Sequence, residues 1–367
     1  MAGLILKNVN KVFPGGQMAV RDFSLEIKNR EFIILSGPTG CGKSTLLRMI
    51  AGLEEISSGS LFIDGKDMTY ADPKDRNIAM VFKNSVLYPE MTVAGNLSFA
   101  LRMAKLPQAE IEERIEDIAG FLKIEHILDK QPEELSMEER YRVLLGRALM
   151  RRPGILLLDS TIADLEESLQ EVLRREFSKV CKKMDMTVIY VTDNQKTAMA
   201  LATRMVVMDD GEICQEGSPK ELVEHPINRF VAGVAGFPPM NFFTAAVFNE
   251  NGRTGLKNKS GKIFLSEKTS AALENGRYIG KEVIFGIRAD RIHICTDQNA
   301  ENGCFQAKFS QDETREPLNG IRFLMEDTGA LCLEGQELSM RPGEKIKISM
   351  EPDQIYVFDK ETEKMIR

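Results

Sequence analysis

The segment Phe32–Leu35 (FIIL) runs into Gly37-Pro38-Thr39-Gly40-Cys41-Gly42-Lys43-Ser44-Thr45, and that junction constrains the fold more than any other stretch. It matches G-x-x-x-x-G-K-[ST], and an apolar helical pattern, TLLRMIAGL, follows it. Strand, glycine-rich turn and helix in that order let backbone N–H groups curl around phosphate oxygens, with the helix dipole adding attraction. Lys43 would reach the β- and γ-phosphates of ATP, and the Ser44 hydroxyl would ligate Mg²⁺. A bare glycine turn is the structural alternative, and motif plus context disfavour it. Asp159 ends a second apolar run, ILLL, where such domains aim a carboxylate at Mg²⁺. A strand-end aspartate would equally serve as a cap; its pairing with the phosphate loop favours the metal role.

Further short apolar runs read as buried strands: Ile78–Phe82, Ile155–Leu158, Val188–Val191 and Met205–Met208. Charged helical patterns, such as 109–123 and 166–184, separate several of them. The alternation predicts an α/β domain with a mostly parallel sheet over residues 1–236, with a helix-rich subdomain at about 86–152. Past Gly236-Phe237-Pro238-Pro239 the texture changes. Short β segments (FFTAAVF, KIFLS, EVIFGIR, KIKISM, IYVFD) broken by Gly, Asn and Asp turns predict a small all-β domain, 237–367.

Composition narrows the class. A net charge of −7 argues against a general nucleic-acid binder, although a local basic patch is compatible with it. Six cysteines lie scattered with no CxxC pair, which excludes zinc spacing and a disulfide scaffold and fits free thiols in a reducing cytoplasm. No segment approaches the roughly 20 apolar residues of a membrane helix, so any membrane role needs other chains.

From these residues outward the chain resembles the ATP-binding subunits of ABC importers, in particular the maltose-type carbohydrate group. SGPTGCGKSTLLRMIAGLE, DRNIAMVFKNSVLYPEMTVAGNLSFAL, LGRALMRRP, VVMDDGEICQEGSP, RFVAGVAGFPPMNFF and FGIRADRI carry the likeness, which covers nearly the whole chain. The resemblance implies a nucleotide-binding domain with a helical subdomain, then an oligonucleotide-fold-like regulatory domain. It implies that Phe13 stacks on adenine, where the alternative is a core aromatic. It further implies transmembrane permease partners that dock near YPEMTVAGNL, a second ATPase subunit, no nucleic acid, and a place on the cytoplasmic face of the membrane.

Several family positions are altered. Lys83 stands where the family has a glutamine that contacts Mg²⁺ and water. Leu135-Ser136-Met137-Glu138-Glu139 replaces the signature LSGGQ. Ser160 replaces the glutamate that acts as general base, and Asp193 the switch histidine. Glu166 ends the loop whose aspartate bridges two subunits. A serine hydroxyl accepts a proton poorly near neutral pH. Asp193 sets a carboxylate where a γ-phosphate donor belongs, unless Lys83 or another cation offsets it. No catalytic set is intact, so little or no hydrolysis is expected. Three readings compete: a nucleotide-binding subunit with weak hydrolysis, a competent energising ATPase of the same class, and a soluble non-transport ABC protein. The resemblance favours transport of sugars or sugar phosphates, and the substitutions favour weak hydrolysis and a heterodimer with an intact sibling.

Overall fold

A computed structural model describes residues 3–160, 184–295, 304–313, 319–334 and 340–367. The chain divides into two compact units, Met1–Pro219 and Lys220–Arg367.

In the first unit the five apolar runs form adjacent strands. The sheet holds β3 (Phe32–Ser36), β6 (Ile78–Val81), β7 (Ile155–Asp159), β8 (Thr187–Val191), β9 (Arg204–Asp209) and β10 (Glu212–Gly217) in the order β10-β9-β3-β8-β7-β6. All neighbours run parallel except the edge strand β10. Strands β3, β7 and β8 are buried along their whole length, which is why they read as continuous apolar runs instead of alternating ones. The predicted Ile78–Phe82 strand stops at Val81, and Phe82 lies outside it, exposed.

A second, antiparallel sheet joins β1 (Leu4–Val12), β2 (Met18–Ile27), β4 (Ser58–Ile63) and β5 (Lys66–Asp67) in the order β2-β1-β4-β5. Leu6, Phe23, Leu25 and Leu61 from this sheet share one core with Ile33, Leu157 and Val206 of the parallel sheet. Helix α1 (Lys43–Ala51) contributes Leu46, Leu47 and Ile50 to it. Three helices, α2 (Val93–Met103), α3 (Gln108–Leu122) and α4 (Met137–Leu149), fall between β6 and β7. The predicted helix at 109–123 corresponds to α3; the one at 166–184 and the position Glu166 lie outside the described residues.

The second unit contains β11 (Met240–Glu250), β12 (Arg253–Asn258), β13 (Gly261–Phe264), β14 (Glu282–Arg288), β15 (Ile292–Ile294), β16 (Cys304–Glu313), β17 (Gly320–Met325), β18 (Thr328–Cys332), β19 (Lys345–Met350) and β20 (Tyr356–Asp359). They form one antiparallel sheet, ordered β15-β19-β16-β13-β12-β11-β14-β20, with β17 pairing β16 and β18. Its core is aromatic: Phe243, Phe285, Phe305 and Phe323 are buried within it. The helix Glu267–Asn275, capped by Ser266, lies in sequence between β13 and β14 and buries Leu273 in this core.

Candidate nucleotide site

The parallel sheet delivers the site. Strand β3 ends at Ser36, and the loop 37–42 leads to α1, whose N-cap is Gly42. Gly37 and Gly42 hold φ of 148° and 100°, and a Cβ on either would lie 2.2 Å from a backbone oxygen, of Met208 and Ala19 respectively. Only glycine fits both demands. Pro38, Thr39 and Gly40 form the exposed crest of the loop, while Cys41 is buried beneath it. Burial pushes the Cys41 thiol up, against the pull of the Lys43 ammonium. Helix α1 has no side-chain cap and no acidic residue in its first turn, which leaves its first amides without an intrahelical acceptor.

Lys43 is buried and donates to the Gly37 and Pro38 carbonyls at 2.7 and 2.8 Å. Its ammonium also lies 3.6 Å from Asp193 Oδ1, whose side chain is 64% exposed. Strand β8 runs beside β3 in parallel, so the loop after it meets the phosphate loop, and Asp193 is carried there. Sequence reasoning named Lys83 as the possible partner of Asp193; the observed ion pair is to Lys43. Lys83 itself lies two residues beyond β6, exposed.

Ser44 Oγ donates to Asp159 Oδ1 at 2.9 Å, and Asp159 is buried at the end of β7. A hydroxyl and a carboxylate held together, both hard oxygen donors, suit Mg²⁺ chemistry. The loop glycines, the buried ammonium and the uncapped helix start suit a nucleotide's phosphates. Thr45 follows in the first turn of α1, half-buried. Ser160 comes next after Asp159, half-buried, in left-handed backbone (φ 49°), with its N–H donating to Val191 O at 2.9 Å. It therefore stands beside the end of β8, with a hydroxyl as its only side-chain function.

Phe13 sits in the turn after β1, half-buried and outside the hydrophobic core. The ammonium of Lys11 lies 5.1 Å from its ring centroid, and that lysine is fixed by an ion pair with Glu54 at 2.6 Å.

The segment at 135–139 has local work of its own. Ser136 is the N-cap of α4, accepting from Glu139 N at 3.2 Å, while Glu139 Oε2 accepts from Ser136 N at 2.8 Å. These reciprocal bonds make a capping box, and they hold the Glu139 carboxyl below its ordinary range, the Ser136 backbone bond contributing most. Glu138 pairs with Arg142 one turn on, at 2.7 Å, and Met137 is exposed. Sequence reasoning missed this cap, although Ser and Glu three residues apart before a helix are its signature.

A separate cavity of about 260 Å³ lies in the same unit, lined in part by Met80, Ser85, Tyr88, Asn96, Phe99 and Arg147. Tyr88 packs on Phe99 at 4.9 Å between ring centroids, and Arg147 lies over Tyr88 and donates to Val86 O at 2.9 Å. Val86 beside it is 74% exposed.

The sequence matches two family models, one described as ABC transporter over residues 20–163 and one as MalK OB fold domain over 236–292. It is 39% identical to the oligosaccharides import ATP-binding protein MsmX of Bacillus subtilis, over all of both chains. It is 40% identical to the trehalose/maltose import ATP-binding protein MalK of Thermococcus litoralis, again over all of both chains. Among solved structures, cbiO1 of Clostridium perfringens, part of the ABC transporter complex cbiONQ, aligns with TM-score 0.58 and 28% identity. That alignment covers 60% of this chain and 90% of cbiO1. The cassette MJ0796 bound to ADP and Pi aligns with TM-score 0.53 and 28% identity, over 59% of this chain and 98% of that one.

Proposed function

This chain belongs to the ABC transporter family of ATP-binding proteins, and from that premise we propose that it is the nucleotide-binding subunit of a carbohydrate importer with weak or absent hydrolysis. Full-length relatives named for oligosaccharide and trehalose/maltose import support the cargo class. Gly37, Pro38, Thr39, Gly40, Cys41, Gly42, Lys43 and Thr45 would hold the phosphates, and Phe13 would hold the adenine. Ser44 and Asp159 would hold Mg²⁺, which when bound screens phosphate charge.

The observation that carries weak hydrolysis is the ion pair between Asp193 and Lys43, 3.6 Å long. The lysine that would meet the γ-phosphate already faces a carboxylate, so a triphosphate brings negative charge against negative charge. Beside it Ser160 offers no base, and a general base alone contributes roughly 10²–10⁴-fold. The self-capped start of α4 presents Glu138 and Glu139 where a partner's nucleotide would need donors.

The chain works on the cytoplasmic face of a membrane with permease subunits, which seat near the cavity beside Tyr88 and Val86. Among the described residues no helix is long and apolar enough to cross a membrane. Its ATPase partner is an intact sibling, because a homodimer would repeat Ser160, Asp193 and the capped α4 at both sites. The test is calorimetry with MgATP beside phosphate release, on the chain alone and co-purified with its neighbouring subunits. Binding without turnover alone, and turnover restored in a complex holding a second, different ATPase, is the expected result. Brisk release by the isolated chain overturns it. Ser160→Glu alone is expected to leave release slow, since Asp193 remains.

A further inference from the structure

The second unit brings together two cysteines that the sequence leaves nine residues apart. Cys295 follows β15 and donates its N–H to Lys347 O of β19 at 2.9 Å. Cys304 opens β16 and pairs in register with Ser349 of the same strand. Strand β19 is therefore the common neighbour of both, bonded to the Cys295 backbone and facing Cys304 in register from its other side. Lys347 and Ser349 are two residues apart, so they lie on one face of β19, and the residues opposite them share that face. It is the outer face: Ile346, Ile348 and Met350 point to the core, while Lys347 is exposed. The two sulfurs sit 3.0 Å apart there, and both cysteines are only half-buried.

The geometry points to Cys295 and Cys304 as a redox-active dithiol, closed to an intramolecular disulfide by low-molecular-weight disulfides such as oxidised glutathione. Formation of the bond needs an approach of about 1 Å, to roughly 2.05 Å. The sheet has already brought the thiols together, and the small oxidant reaches them from solvent.

The steps balance in protons and electrons. Cys295 loses its proton and its thiolate attacks one sulfur of oxidised glutathione. The glutathione S–S bond breaks, and the departing glutathione thiolate takes up a proton. Cys304, as thiolate, then attacks the Cys295 sulfur of the mixed disulfide and expels the second glutathione, which is protonated in turn. Two protein thiols are oxidised to one disulfide, and one glutathione disulfide is reduced to two thiols. Burial and the contact with Cys295 push the Cys304 thiol up to about 11. The Lys347 ammonium nearby acts in the opposite direction, favouring the Cys304 thiolate. Cys41 and Cys332 are buried, and each has its thiol raised by burial, so they serve as internal references.

The full-length protein is incubated with oxidised glutathione, its remaining thiols are alkylated, and peptides are analysed by mass spectrometry without reduction. A peptide joined through Cys295 and Cys304, with loss of alkylation at both and restoration by a thiol reductant, is expected. In Cys304→Ser the reaction stops early, leaving glutathione on Cys295. Full alkylation of both residues after oxidant treatment overturns the inference. So does oxidant joining either cysteine to a different thiol, or a Cys304→Ser protein that carries no glutathione at Cys295.

Discussion

Helix α1 starts from Gly42, which has no side chain to lend, and its first turn carries no acidic residue. Helix α4 starts from Ser136, and two glutamates fill its first turn. Both helices face the same difficulty, since the opening N–H groups of any helix lack intrahelical acceptors. At α1 those donors remain available to a ligand, and the surrounding glycines let an anion come close. At α4 the chain supplies its own carboxylate, Glu139, and binds it back to Ser136. One helix start is built to receive an anion and the other already holds one. The difference lies in a few side chains and in the cap backbone, left-handed at Gly42 and extended at Ser136.

The comparison breaks most readily at Lys43. Lys43→Ala is expected to weaken MgATP binding by about 10²-fold, the worth of one or two charge-assisted hydrogen bonds. Equal affinities by calorimetry would show that the open start of α1 is not the nucleotide site. Gly42→Ala places a Cβ 2.2 Å from Ala19 O in left-handed backbone. It is expected to cost about 2 kcal/mol of stability, read as a fall in Tm; an unchanged Tm would mean the loop relaxes freely.

The closed start is tested by Ser136→Ala, expected to lower stability by about 1 kcal/mol in denaturant unfolding. Asp193→Asn asks whether the open start is gated. At 3.6 Å, and with its Asp193 side largely exposed, the pair is worth about 1 kcal/mol, so ATP should bind roughly fivefold tighter while ADP changes little. An equal gain for ADP would move the effect away from the γ-phosphate.

The smallest effect is in pH. The Glu139 carboxyl is held below its ordinary value of 4.5 by its bonds to Ser136. Its contribution to stability is therefore complete above pH 4.5 and lost as pH falls through the lower folded-state value. The Tm difference between wild type and Glu139→Gln should shrink as the solution is acidified below 4.5. A difference that grows in acid would contradict the cap.

The parallel sheet was legible because strands buried on both faces leave unbroken apolar runs, as ILLL does. The antiparallel sheet of the first unit was not. Strand β1 has register shifts after Leu6, Val9 and Lys11, and these break the alternation that would mark a half-buried strand. The phosphate loop could be read with its residue roles, since strand, glycines, lysine and hydroxyl are contiguous. The partner of Lys43 was out of reach, because Asp193 lies 150 residues away and only the neighbouring of β3 and β8 unites them. The cap at Ser136 was within reach, and the likeness of LSMEE to a known signature drew attention from its own chemistry. The proximity of Cys295 and Cys304 arises where β15 and β16 share β19 as a neighbour, a tertiary arrangement that no cysteine spacing encodes.

The strand order also sets a sequence in time. Phe32 of β3 pairs with Val188, and Ile33 with Arg204, so both neighbours of that central strand are made more than 150 residues after it. A growing chain on the ribosome thus carries β3 with both edges bare, a state prone to wrong pairing. Only when Thr187–Val191 emerges does the loop bearing Asp193 arrive beside Lys43. The phosphate loop is among the first parts of the chain to be synthesised, and its surroundings are among the last of its unit to be completed.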